Sequence, residues 1–194
     1  MRAISTRLGI ACGLVGLAVF VVMYSIAMSL DNEYTFFENY LSDLGIGPGA
    51  WAFNSGLVIT GAFLAVFAFF GLARVIGEGR LAKVATVLLA LSGMLLMGIG
   101  IFNEDVKPHH YIFSVSYFLT FIITLVVISA SLYRTKALGR FGFVVSACAS
   151  VFGALLLPMG GTPQSETLAV LAMVAWGLLI SCAALLKEYG HPIP

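Results

Sequence analysis

Six long apolar runs, separated by short polar segments, dominate the pattern of the chain. Each contains about 20 residues, which is the length an α-helix needs to cross a hydrocarbon core about 30 Å thick. Because backbone groups in hydrocarbon must satisfy one another, such runs form helices. The sequence therefore predicts an all-α integral membrane protein, a bundle of six transmembrane helices. The runs are Leu8–Leu30, Trp51–Leu72, Leu81–Phe102, Tyr111–Tyr133, Phe141–Pro158 and Thr167–Leu186.

Composition supports this class and excludes others. Of the 194 residues, 60% are hydrophobic and 10% charged, against about 45–50% and about 25% in soluble domains. The net charge of +1 gives no basis for nucleic-acid binding. The three cysteines lie within apolar runs, which is typical of buried thiols. No linker divides the chain, so residues 1–194 are predicted to form one domain, and the first run is longer than a signal-peptide core.

Charge is distributed unequally between the two sides of the predicted membrane. Nine of the ten basic residues fall on one side and only Lys107 on the other, which also carries seven of the nine acids. Lys and Arg in short loops mark the cytoplasmic side. We therefore expect a multi-pass protein of the cell membrane, with both termini cytoplasmic and acidic loops facing outward.

The first outer loop carries a helix signal. Thr35 and Glu38 have the spacing of a capping box, and Gly45 suits a helix end. The pattern predicts a short amphipathic helix over Phe36–Leu44 at the membrane–water interface. Asp43 would then lie in its last turn, where the helix dipole disfavours a negative charge. We expect another group to hold that carboxylate.

The second outer loop brings two histidines to the start of the fourth helix. Pro108 suits the helix start, and His110 and Ser114, four residues apart, share one face. A solvated pair of histidines is the simpler interpretation. Glu104, His109 and His110 are weak candidates for a metal site, because no ligand spacing occurs on a single element. No metal and no cofactor is predicted.

Glu166 falls in the first turn of the last helix, where the dipole favours it. With three outer loops each carrying ionisable groups, we expect Asp43, His110 and Glu166 to converge at an outward-opening pocket, with a direct or water-bridged hydrogen bond between the histidine and a carboxylate. The candidate binding residues are Asn39, Ser42, Asp43, Asn54, Asn103, His110 and Glu166.

Three short motifs carry a family resemblance: Asn39-Tyr-Leu-Ser-Asp-Leu-Gly45, Phe53-Asn-Ser-Gly-Leu57 and His110-x-x-x-Ser114-x-x-x-Phe118. The chain resembles the prokaryotic domain-of-unknown-function family 998 and the wider Frag/DRAM/Sfk-type six-helix superfamily. The resemblance implies six helices and an outward polar cluster that includes Asp43, His110 and Glu166. It also implies a loose association with membrane lipids, but no activity. Ser114 stands where eukaryotic relatives tend to have alanine.

Two interpretations of function follow. In the first, the cluster binds or modifies membrane lipids or lipid-linked molecules, and Asp43, His110, Ser114 and Glu166 are the candidates for catalysis. In the second, the protein is a non-catalytic sensor, scaffold or assembly partner, and the cluster is a structural latch. Ionisable residues are absent from the middle of every run, which disfavours a proton-coupled transporter. Membrane lipids are the expected partners, and the sequence leaves protein partners open.

Overall fold

The computed structural model describes residues 2–159 and 161–193. Within these residues six helices are long and apolar enough to cross a membrane, as the sequence predicted. They are α1 (Arg2–Leu30), α2 (Ala50–Ile76), α3 (Arg80–Ile101), α4 (His109–Thr135), α5 (Gly139–Leu156) and α6 (Pro163–Glu188). Segment Phe67–Leu72 of α2 is π-helical, and a 3-10 turn, Leu157–Met159, follows α5.

The six helices form a closed ring. Each packs against the next along the chain, and α6 returns to pack against α1. Close approach depends on glycine where two backbones meet: a Cβ at Gly9 would overlap the main chain of Phe70 and Gly71 in the π-helical segment. Tyr189 directly follows α6, near the other end of the chain, and its ring centroid lies 4.3 Å from the Arg7 guanidinium on α1. The ring therefore brings the first and last helices together.

The loop between α1 and α2 differs from the prediction. In place of a helix over Phe36–Leu44, the structure has turns and then a 3-10 helix, Leu41–Gly45. The Thr35 hydroxyl donates to Oδ1 of Asn39 at 3.0 Å, and the Thr35 backbone N–H donates to the same atom at 2.9 Å. Such side-chain bonds offer the backbone an alternative to the helix. The predicted helix over Phe36–Leu44 is therefore wrong in type and start: only its last four residues are helical, within a short 3-10 helix.

This later start removes the difficulty with Asp43. The residue lies near the start of the 3-10 helix, not in the last turn of a longer one, and its Oδ2 accepts a hydrogen bond from the Tyr40 backbone N–H at 2.9 Å. A carboxylate at this end of a helix satisfies a free donor and complements the dipole. Asp43 thus has a local partner.

Candidate functional site

The end of the bundle that carries residues 31–49, 102–108 and 161–162 is called the acidic end here. At this end the first loop is fixed to α6. The Leu41 backbone N–H donates to Oε2 of Glu166 at 3.0 Å, and the Gln164 side-chain amide donates to the Phe37 carbonyl at 2.6 Å. Glu166 lies in the first turn of α6, which Thr162 caps by accepting from the Ser165 backbone N–H at 3.3 Å. Two parts of the chain far apart in sequence are joined by these contacts.

Two of the predicted binding residues hold the same loop from its other side. The side-chain amides of Asn54, on α2, and Asn103, after α3, both donate to the Gly45 carbonyl, at 2.8 and 3.4 Å. A Cβ at Gly45 would come within 2.8 Å of the Asn54 amide oxygen. Asn54 and Asn103 therefore fix the loop to the ring. Asn39 accepts from Thr35 within the loop itself.

His110 is oriented by the end of the preceding helix. Helix α3 ends at Ile101, and the carbonyl of Phe102, beyond the regular helix, lies 2.8 Å from Nδ1 of His110. The last carbonyls of a helix lack intrahelical partners, so this one is free to accept. The Phe102 ring is stacked between His109 and Phe113, with centroids 5.4 and 5.2 Å away. His110 is 9% exposed, so its imidazole is held in a defined position.

The second ring nitrogen of His110 faces Ser114, with Oγ and Nε2 separated by 3.3 Å. Because a carbonyl can only accept, Nδ1 of His110 carries a proton and donates to Phe102. In the neutral imidazole Nε2 is then the acceptor, and the Ser114 hydroxyl donates to it. The shared face predicted for these two residues is present, and it forms a serine–histidine pair.

The direct form of the predicted hydrogen bond between His110 and a carboxylate is absent among the described residues, because the Phe102 carbonyl and the Ser114 hydroxyl engage its two ring nitrogens. A water-bridged bond stays a prediction. The carboxylates still gather at the acidic end: Asp43 and Glu104 both lie close enough to Glu166 to interact electrostatically with it. One carboxylate oxygen of Glu104 is buried without a hydrogen-bond partner among the described residues. The structure therefore has a group of acids and a neighbouring serine–histidine pair.

Tyr34 borders the acidic group from the first loop. Burial raises the pKa of its phenol above the usual range, and the negative charges of Glu166 and Asp43 act in the same direction. The neighbouring Tyr24 phenol raises this pKa as well, so the Tyr34 hydroxyl stays protonated even well above neutral pH.

A cleft of about 860 Å³ opens beside the serine–histidine pair, between α4, α5 and α6. At the acidic end it is lined by polar side chains, among them Glu104, Lys107, His110, Ser114 and Glu166. Deeper in the bundle its walls are apolar. This part of the lining is Val115, Phe118, Leu119, Ile122, Leu125, Ala149, Gly153, Ala169, Ala172 and Met173. Leu156, the last residue of α5, lines the cleft nearer the acidic end. The cleft is thus polar at one end and apolar along its length.

A second, smaller cavity of about 100 Å³ lies inside the ring, bordered by α1, α2, α3, α4 and α6. It shares Ser42, Ser114, Phe118, Glu166 and Met173 with the cleft. The buried Ser181 hydroxyl, also in its lining, has no hydrogen-bond partner within the described part of the chain. Ser114 and Glu166 therefore lie where the two spaces meet.

The weak metal candidates are not brought together. His109 stacks on Phe102, and both ring nitrogens of His110 are engaged. Over residues 2–159 and 161–193, no three His, Cys, Asp or Glu side chains are placed to hold a metal ion.

Sequence reasoning did not predict the apolar part of the site. A signal was available: Ala149 and Gly153, four residues apart on α5, and Ala169 and Ala172, three apart on α6, place small side chains on one face of each helix. Small residues there leave the space between α4, α5 and α6 open. The Phe102 carbonyl and the Gln164 amide were also missed, because backbone acceptors and loop contacts give no sequence pattern.

The fold and the cleft define a multi-pass helical membrane protein with a site at one end of its bundle. The profile of a family described as protein of unknown function (DUF998) matches residues 14–141. The chain therefore belongs to this family, as its motifs indicated. The matched stretch includes Asp43, His110 and Ser114, and Glu166 lies beyond it. No curated protein and no solved structure matches the chain.

Proposed function

We propose that the protein binds a membrane lipid in the cleft between α4, α5 and α6, with the head group at the acidic end. The observation that carries this proposal is the division of one continuous cleft into a polar end and apolar walls. A lipid has the same division along its length. The volume also lies within the range of about 300–1,000 Å³ that is typical of ligand pockets.

The dimensions of the apolar part suit an acyl chain. Its lining on α4 runs from Val115 to Leu125, which corresponds to about 15 Å of helix rise. Val115 and Leu119, which line the cleft, are exposed at the side of the bundle, at 38% and 43%. A lipid can therefore enter from the side, without passing through water.

The polar end favours a head group that carries an ammonium group. Glu104 and Glu166 line it together with Lys107, so carboxylates outnumber cations among the described lining residues. The unpartnered carboxylate oxygen of Glu104 needs a donor, because a buried acceptor left without one costs about 1–3 kcal/mol. By the charge asymmetry of the loops, this end faces outward, and the lipid comes from the outer leaflet.

A photoreactive lipid tests this proposal. The full chain is placed in phosphatidylcholine nanodiscs that contain a diacyl phosphatidylethanolamine with a photoreactive acyl chain, and cross-linked peptides are identified by mass spectrometry. We expect cross-links to the cleft-lining parts of α4, α5 or α6. Ala169→Phe, which fills the cleft, should reduce them, whereas Ala175→Phe, on an exposed face of the same helix outside the cleft, should not. Equal cross-linking in all three proteins would contradict lipid binding in the cleft.

The second candidate function is that of a non-catalytic membrane sensor or scaffold, in which the acidic end is a latch. The bonds from Leu41 to Glu166 and from Gln164 to Phe37 favour it, because they fix the first loop without any ligand. The cross-linking experiment separates the two functions. If the acidic end is only a latch, Ala169→Phe should not reduce the labelling.

A further inference from the structure

The geometry points to Ser114 as a nucleophile, activated by His110, that cleaves an acyl ester of the lipid in the cleft. This inference rests on the proposed lipid-binding function. It adds a reaction class, ester hydrolysis through an acyl-enzyme, and assigns it to two residues on the first turns of α4. Three observations carry it: the hydrogen bonding of Ser114, the orientation of His110, and the position of the pair along the cleft.

The Ser114 hydroxyl faces a histidine, unlike the hydroxyls of this protein that follow the pattern common in helices. A serine or threonine inside a helix commonly donates to the carbonyl four residues before it. Ser114 faces instead the imidazole of the residue four before it, at 3.3 Å from Nε2. The hydroxyls that follow the common pattern are those of Ser25, Ser55, Thr86, Ser92, Thr124 and Thr135.

The orientation of His110 is the one that a general base requires. Its Nδ1–H donates to the Phe102 carbonyl at 2.8 Å, which leaves the lone pair of Nε2 directed at the Ser114 hydroxyl. In serine hydrolases a third group holds the histidine in this tautomer. Here that positioning group is a backbone carbonyl at the end of α3.

The pair lies where the ester of a bound lipid would be. In a glycerolipid the ester carbonyls join the head group to the acyl chains. Ser114 occupies the matching position in the cleft, between the polar end at Glu104 and Lys107 and the apolar wall that begins at Val115. Lys107 lines the same end of the cleft, and its ammonium group could stabilise the negative charge that develops on the carbonyl oxygen.

The reaction balances with water as the second substrate. The Ser114 oxygen bonds to the ester carbonyl carbon while its proton moves to Nε2 of His110. The bond from that carbon to the alcohol oxygen breaks, and the leaving alcohol takes the proton from His110. Water then attacks the acyl-serine and gives a proton to His110. The fatty acid leaves, and the Ser114 oxygen recovers its proton; no electron transfer is involved.

A fluorophosphonate probe and a fluorogenic phosphatidylethanolamine in phosphatidylcholine vesicles test the inference on the full chain. We expect the phosphonyl adduct on the α4 peptide that contains Ser114, and release of the labelled acyl chain. Ser114→Ala should abolish the adduct and lower the rate about 100-fold or more, the size of effect expected for loss of an activated nucleophile or its base. Ser116→Ala, a hydroxyl on the same helix that lines neither cavity, should change neither measurement.

His110→Asn provides the second variant, because its amide retains a donor for the Phe102 carbonyl but supplies no base. We expect it to keep the thermal midpoint within a few degrees of the wild-type value and to lose labelling. Cross-linking of the photoreactive lipid without any Ser114 adduct would overturn catalysis and leave the binding function standing. A Ser114 adduct without cross-linking would instead overturn lipid binding in the cleft, and with it the proposed lipid substrate. Failure of catalysis and failure of lipid binding are therefore distinguishable.

Discussion

The backbone N–H of Leu41 donates a hydrogen bond to Oε2 of Glu166 across 125 residues of chain. Leu41 is buried, and the Glu166 carboxylate is the acceptor of its N–H. This one bond fixes the first loop against the start of the last helix, at the boundary of both cavities. It also shows how a charged residue is used structurally at the acidic end, independently of any ligand.

Removing this acceptor should destabilise the protein. Glu166→Ala leaves the buried Leu41 N–H without a partner, which costs about 1–3 kcal/mol. Glu166→Gln retains a side-chain oxygen and should cost less. Gln164→Ala, which removes the exposed bond to Phe37, should change stability least. Thermal unfolding followed by tryptophan fluorescence in detergent measures the order, and equal midpoints for the Ala and Gln variants of Glu166 would contradict it.

Asp43 and His110 should contribute independently. Asp43 accepts from the Tyr40 N–H, whereas His110 bonds Phe102 and Ser114, so the two share no partner. Asp43→Ala should cost about 1 kcal/mol, as loss of a helix cap does.

We expect the double variant with His110→Ala to equal the sum of the single effects within about 0.5 kcal/mol. Free energies of unfolding for the four proteins of this cycle test the expectation. A coupling energy above about 1 kcal/mol would contradict this expectation, because it would indicate a direct interaction between Asp43 and His110.

Two buried glycines in helices should differ in their tolerance of alanine. A Cβ at Gly93 would lie 2.5 Å from the Gly61 carbonyl oxygen, whereas one at Gly177 would meet the flexible end of Leu17 at 3.2 Å. Backbone cannot move aside as a side chain can, so Gly93→Ala should cost about 1–3 kcal/mol. Gly177→Ala also gains helix propensity, up to about 1 kcal/mol, and should be close to neutral. Thermal midpoints measured side by side decide this, and a neutral Gly93→Ala would argue against the close contact of α2 with α3.

The orientation predicted from charge can be measured with single cysteines. In a background without Cys12, Cys148 and Cys182, we expect cysteines at Asn32 and Asp105 to react with an impermeant thiol reagent applied to intact cells. A cysteine at Glu78, in the exposed turn between α2 and α3, should react only after the membrane is permeabilised. The reverse pattern would invert the orientation and place the cleft in the inner leaflet.

The sequence was most informative where one physical requirement dominates. Six runs of about 20 apolar residues define the six helices, and the structure extends most of them by only a few residues at their ends. The first loop was harder to predict, because the side-chain bonds of Thr35 and Asn39 compete with a helix whose hydrophobic pattern is equally good. A capping pattern alone does not show whether the helix or the turn with side-chain bonds is adopted.

The site was predictable residue by residue but not as a set of partners. Spacing of four placed Ser114 beside His110, and the structure has them 3.3 Å apart. The partner of Nδ1 could not be predicted, because it is a backbone carbonyl exposed only where α3 stops. Asp43 likewise bonds the backbone of Tyr40. Tertiary bonds to main-chain atoms depend on where elements end, and ends are the least certain part of a sequence-based prediction.

The contact of α6 with α1 has a consequence for biogenesis. A chain emerges from the ribosome at about 5–20 residues per second, so α6 follows α1 by roughly 7–30 seconds. Until it arrives, the helices already inserted form an incomplete circle whose two free edges face lipid or an insertion factor. Leu41 has no acceptor and the cleft has no third wall during that interval. A ribosome-stalled or truncated chain that lacks α6 would therefore be a target for membrane quality control, and the site comes into existence only with the last helix.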